Sequence, residues 1–254
     1  MDRTLSAPKD RDWRHLRLIG GIAALMAAVV FRRWLSAELE MLQGLGIIHF
    51  DSPLTPGTPM EWFTLLHTNR FIGLILLNFF DVVNYVLAAM MYMGIYPLLR
   101  NHDKAFVRLA VILTVAGTSM YLVSNQALNL LSLSNRYFLS DTEAQKTLVL
   151  SAGQFALTIN DPVAFGTGTF WSYMLLYAAG LILSIIMLRT AVIARWIGIL
   201  GIVANSFGLG YFVTSMINPS LGVIPALGSA PTNLIWYFAL GIHLIRNAYI
   251  KAEK

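Results

Sequence analysis

The run from Phe71 to Leu99 is apolar for most of its length, and others follow at Phe106 to about Leu131, about Pro162 to Leu188, and Ala194 to about Ile217. About 20 consecutive apolar residues cross a bilayer core, so each run is long enough to span one. Lipid offers backbone amides no water partners, so such segments are read as helices that satisfy their own hydrogen bonds. The chain is 57% hydrophobic and 12% charged, against roughly 25% charged residues in an average soluble domain. Its mean hydropathy is +0.64. These values predict an all-α polytopic integral membrane helical bundle whose first partner is the lipid bilayer.

Two weaker segments complete a prediction of six transmembrane helices, over about 18–37, 71–99, 106–131, 162–188, 194–217 and 226–245. They form one transmembrane domain over 18–248, between a basic segment 1–17 and a tail 249–254. Residues 18–31 reach only about 21 Å at 1.5 Å per residue, which also fits a signal-peptide core. Arg32 and Arg33 then stand where a cleavage site needs small neutral residues, so a membrane span is expected. The sixth segment carries Pro231, which is expected to start or kink the helix there. Thr147 to Thr158 is apolar but too short to cross, and is expected as a surface or re-entrant helix. Asp161 before Pro162 reads as the cap of the fourth span.

Thirteen of the eighteen lysines and arginines fall in the amino-terminal segment, the 100–108 and 189–195 connections and the carboxyl tail. The other five are Arg32, Arg33, Arg70, Arg136 and Lys146. This asymmetry places both termini in the cytoplasm of a multi-pass cell (inner) membrane protein. The basic residues sit at the ends of apolar segments, so the net charge of +5 is no nucleic-acid signature. The chain has no cysteine, which removes disulfides and thiolate chemistry. Spans two with three and four with five are both hairpins closed by short basic turns, the outline of a two-hairpin repeat.

Gly94-Ile95-Tyr96-Pro97-Leu98-Leu99-Arg100, followed by a polar turn and Arg108, resembles a hairpin of the bacterial membrane family called domain of unknown function 4386. The stretch from Gly166 and Gly168 through Leu188-Arg189-Thr190 to Arg195-Trp196-Ile197-Gly198 resembles that family's fourth and fifth spans, within a layout shared over about residues 18–248. Ala194 departs from the pattern, in which a proline commonly precedes the Arg-Trp pair. The sixth span also lacks an expected acidic residue. The resemblance implies fold and membrane location; it carries no activity.

Asp81 is the ionisable group clearly inside an apolar run, ten residues past Phe71. An intramembrane carboxylate costs about 2.5 to 3.5 kcal/mol at mid-helix and by default marks a functional site or a buried pair. Asn78, Asn84 and Tyr85 stand three or four residues away, which puts Asn78, Asp81 and Tyr85 on one helix face. Counted from the outer ends at 1.5 Å per residue, Asp81, Asn125 and Asn205 lie about 15, 10 and 18 Å deep, depths compatible with one cluster. Arg32 or Arg33 is the expected ion-pair partner if Asp81 is paired. The functional reading is an outer polar pocket for a small-molecule or proton ligand. The structural reading is helix glue, since asparagines bond across membrane helices at about 0.6 kcal/mol each.

Other residues carry less. Thr167 between Gly166 and Gly168, with His243, resembles the dyad of a rhomboid-type intramembrane protease, but roughly 20 Å of depth separates the two and forbids proton transfer. His243 reads as interfacial. His49, Asp51, Glu61 and His67 match no metal-ligand spacing. Gly20 with Ala24, and Gly198, Gly201, Ala204 and Gly208, read as close helix packing within the bundle or in a homo-oligomer. The function classes are therefore a small transporter or ligand-binding membrane protein, then a non-catalytic membrane subunit or regulatory protein. An intramembrane enzyme ranks third, and no cofactor is expected.

Overall fold

The computed structural model describes residues 8–31 and 56–250, and all regular structure among them is helical. The helices are α1 (Pro8–Phe31), α2 (Pro59–Thr68), α3 (Arg70–Leu76), α4 (Phe79–Leu99), α5 (Lys104–Ser124), α6 (Ala127–Phe138), α7 (Glu143–Asn160), α8 (Gly168–Thr190), α9 (Arg195–Ile217) and α10 (Val223–Ile250).

Six of them close a ring in which α1 packs on α4, α4 on α5, α5 on α8, α8 on α9, α9 on α10, and α10 back on α1. The core between them is built from Met91, Ile95, Leu183, Met187, Trp236 and Leu240, all at most 1% exposed. Small residues set how near α1 comes to its neighbours. A Cβ added at Gly20 would lie 2.6 Å from Gly94 Cα, and one at Gly21 would lie 3.0 Å from the Gly241 carbonyl. Ala23, Ala24, Ala27 and Ala28 continue that buried face. At one end of the ring Arg100 stacks over Trp13 at 4.1 Å and Arg14 over Tyr249 at 5.6 Å. The start of α1, the α4–α5 turn and the end of α10 therefore share one face.

Outside the ring, α2, α3, α6 and α7 enclose a second core of Trp62, Phe63, Leu66, Leu77, Ala127, Leu130 and Ala156. Thr58 and Glu61 form a reciprocal capping box at the start of α2, and Thr142 accepts the Gln145 amide at the start of α7. The apolar 147–158 segment is thus the body of α7, packed on α6 and α2.

Five helical segments among the described residues are long and apolar enough to cross a membrane: Phe79–Leu99, Lys104–Phe138, Gly168–Thr190, Arg195–Ile217 and Ser220–Tyr249. The first expected span, 18–37, falls partly in α1, and residues 32–37 lie outside the described region. Four other expectations need correction. The 71–99 span is two helices, because the chain turns at Leu77 and Asn78, where Asn78 has φ +58°. The 106–131 span breaks at Asn125 and Gln126. Asp161 ends α7 rather than starting α8; its carboxylate accepts the Val163 amide, and Thr167 caps α8 instead. Pro231 does not start a helix but lies inside α10, where Thr232 and Asn233 bond back to the Gly228 and Ser229 carbonyls beside it.

Candidate functional site

The two helix breaks lie against each other, and asparagines hold them. A break frees carbonyls that the helix would otherwise pair, and buried carbonyls need donors. Asn160 donates to the Leu77 carbonyl at 3.3 Å and accepts the Gln126 amide at 2.9 Å. The Asn78 carbonyl accepts from Asn125 Nδ2 and from the Tyr121 hydroxyl, both at 3.3 Å. Asn78 therefore acts through its backbone. Its side chain is exposed and makes no cap bond, so it is not on the Asp81 helix face as expected.

The break moves Asp81 as well. Its carboxylate is in the first turn of α4, three residues past Asn78, rather than ten residues into a span. The Tyr173 hydroxyl, from α8, donates to Asp81 Oδ2 at 3.0 Å. Around this pair stands an aromatic cluster. Tyr85 stacks on Tyr121 at 3.9 Å between ring centroids, and Tyr173 meets both edge-on. The Tyr85 hydroxyl shares a 3.1 Å bond with Ser172 Oγ.

Asp81, Asn84, Tyr85, Tyr92, Tyr173 and Tyr177 contribute to the wall of a cavity of about 20 Å³. A void of roughly 10 to 15 Å³ already accepts one water, so this one has room for a water and none for an organic substrate. Asn84 is buried and its Oδ1 has no partner. An unmet buried acceptor costs about 1 to 3 kcal/mol, which a water in such a cavity would relieve.

Of the residues expected at the site, Asp81, Asn84 and Tyr85 line this cavity; Asn125 does not, but bonds the hydroxyl of Tyr121, whose ring stacks on Tyr85. Asn205 does not line it. Its Nδ2 is on the Gly201 carbonyl at 2.7 Å, and its buried Oδ1, without a hydrogen-bond partner, stands with the Tyr92 hydroxyl against Gly180. Arg32, Arg33, His49 and Asp51 lie outside the described residues. Glu61 is engaged in the α2 cap and His67 packs on Phe138, and no group of three His, Cys, Asp or Glu that could hold a metal occurs among the described residues.

Sequence reasoning missed Tyr173, Tyr121 and Asn160. Tyr173 and Tyr177 recur at four residues on α8, and Tyr85 and Tyr92 at seven on α4, so each pair shares a helix face. That periodicity of hydroxyl-bearing rings in apolar runs was the available signal.

The family model described as a domain of unknown function (DUF4386) matches residues 44–247. The chain belongs to this family. The DUF4386 match takes in α2 through most of α10 and both helix breaks, while α1 precedes it. No curated protein and no solved structure gives a significant match. The DUF4386 chain has φ −51° at Ala194, a backbone angle that proline also adopts, so the departure there from the expected proline leaves the turn unchanged.

Proposed function

We propose that this is a six-span cell-membrane protein, both termini cytoplasmic, that binds a proton at Asp81 in the manner of a small transporter or ligand-binding membrane protein. The observation that carries this reading is the Asp81 carboxylate, bonded to Tyr173 at 3.0 Å and facing a cavity sized for one water. Discontinuous helices beside a charged group are the usual architecture of transporter sites, and α3–α4 and α5–α6 supply two. The six-span count draws on α1 closing the ring between α4 and α10. The orientation draws on the shared face of α1, the α4–α5 turn and α10, which gathers most of the basic residues.

A second reading, a non-catalytic membrane subunit, is favoured by the use of Asn125 and Asn160 to hold broken backbone. Asp81→Asn separates the two. Proton binding predicts an infrared carboxyl band that titrates with pH and vanishes in Asp81→Asn while the melting temperature in detergent holds. If Asp81 is instead a fixed ionised partner of Arg32 or Arg33, Asp81→Asn strands a cation at about 3 to 5 kcal/mol. A large fall in melting temperature, rescued by Arg32→Gln or Arg33→Gln in the double variant, would overturn the proton reading.

A further inference from the structure

A larger compartment lies on the other side of the helix breaks. It is a cleft of about 520 Å³ between the start of α2, the end of α3 and the end of α7. Small-molecule sites commonly measure roughly 300 to 1,000 Å³, so the volume admits an organic ligand where the Asp81 cavity admits only water.

The described part of its wall carries charge of one sign. Among the described residues, Asp161 is the ionisable side chain on it, and no lysine, arginine or histidine lines it. Asp161 is also the C-cap of the 18-residue α7, whose carbonyl end carries partial negative charge. The N-terminus of α2 reaches the same cleft at Gly57, but Glu61 Oε2 already takes the Gly57 and Thr58 amides at 2.7 and 3.2 Å. That carboxylate offsets the one positive end. Between the polar groups the wall is apolar, with Leu76, Leu157 and the Trp62 indole, whose face attracts cations.

We propose that this cleft binds an organic monocation, a primary amine or quaternary ammonium carrying a small apolar group. The charged head sits by Asp161 and the apolar part lies against Leu76, Leu157 and Trp62. This site is independent of proton uptake at Asp81, which lines the other cavity.

Titration calorimetry of the purified full chain in neutral detergent tests it, with butylammonium chloride and tetraethylammonium chloride as probes. Sodium butyrate and sodium chloride are the controls. The ammonium ions should bind at one site and the butyrate should not. Asp161→Asn keeps the Oδ1 that accepts the Val163 amide, so the loop survives while the charge is lost, and affinity should fall about tenfold. Asp81→Asn should leave it unchanged. Binding of butyrate as tightly as butylammonium, unchanged affinity in Asp161→Asn, loss of binding in Asp81→Asn alone, or no ammonium binding at all would each overturn the proposal.

Discussion

Asn160 Oδ1 accepts the backbone amide of Gln126 at 2.9 Å, so a side chain at the end of α7 completes the hydrogen bonding of the break between α5 and α6. Its Nδ2 bonds the Leu77 carbonyl at the other break. Replacing Asn160 by Ala leaves the part-buried Gln126 donor and the buried Leu77 acceptor unmet, the latter worth about 1 to 3 kcal/mol. The melting temperature of Asn160→Ala in detergent should fall well below that of the unaltered protein. Asn160→Asp should also be destabilised, because a carboxylate serves Gln126 but faces the Leu77 carbonyl with no donor. A melting temperature unchanged in both variants would contradict the bridging role.

The breaks explain where sequence reading stopped. The helical bundle was legible because apolar runs of span length admit little else, and DUF4386 membership was legible in the Pro97 and Arg195-Trp196 segments. The turn at Leu77 and Asn78 was not, because no glycine or proline interrupts Ile75-Leu76-Leu77-Asn78-Phe79. The chain leaves the helix there because Asn125, Tyr121 and Asn160, 43 to 83 residues away, offer donors to the freed carbonyls. Such long-range partners leave no local signature. Asparagine is among the few residues that tolerate a left-handed backbone, which is the one local hint.

The crossing of α1 and α4 predicts a sharp contrast among glycines. Gly20→Ala would place a methyl 2.6 Å from Gly94 Cα, backbone that cannot rotate aside, and overpacking of this kind costs about 1 to 3 kcal/mol or more. Gly210→Ala would meet only Pro225, at 3.6 Å, an ordinary contact. Thermal melts should show Gly20→Ala clearly destabilised and Gly210→Ala neutral or slightly more stable. Equal melts would remove the close approach.

Ala191 ends α8 with φ +51° and is exposed. An L-residue with a Cβ pays about 1 to 2 kcal/mol in this conformation, which glycine avoids. Ala191→Gly should raise the melting temperature, whereas Ala191→Val should lower it. A melt in which glycine is the less stable of the two would refute the left-handed turn.

Topology is open to labelling, because the chain has no native cysteine. Asn101, in the α4–α5 turn, and Gly57, before α2, are both exposed. Cysteines introduced singly at these positions should react with an impermeant maleimide from opposite sides of the membrane, Gly57→Cys in intact cells and Asn101→Cys only after permeabilisation. Labelling of both from the same side would undo the six-span arrangement.

The glycine contacts of α1 have a mechanical consequence. At Gly20 against Gly94 main chain rests on main chain with no side chain between, whereas the Ile245 and Leu25 side chains also press on Gly21 and Gly241. No rotamer change can widen or ease the Gly20–Gly94 joint, so α1 and α4 pivot about it as stiff rods. That joint sits toward the end of the bundle where Arg100 stacks over Trp13. The broken helices, the Asp81 cavity and the cleft lie toward the opposite end, at the long arm of that fulcrum, where a small tilt produces the largest displacement.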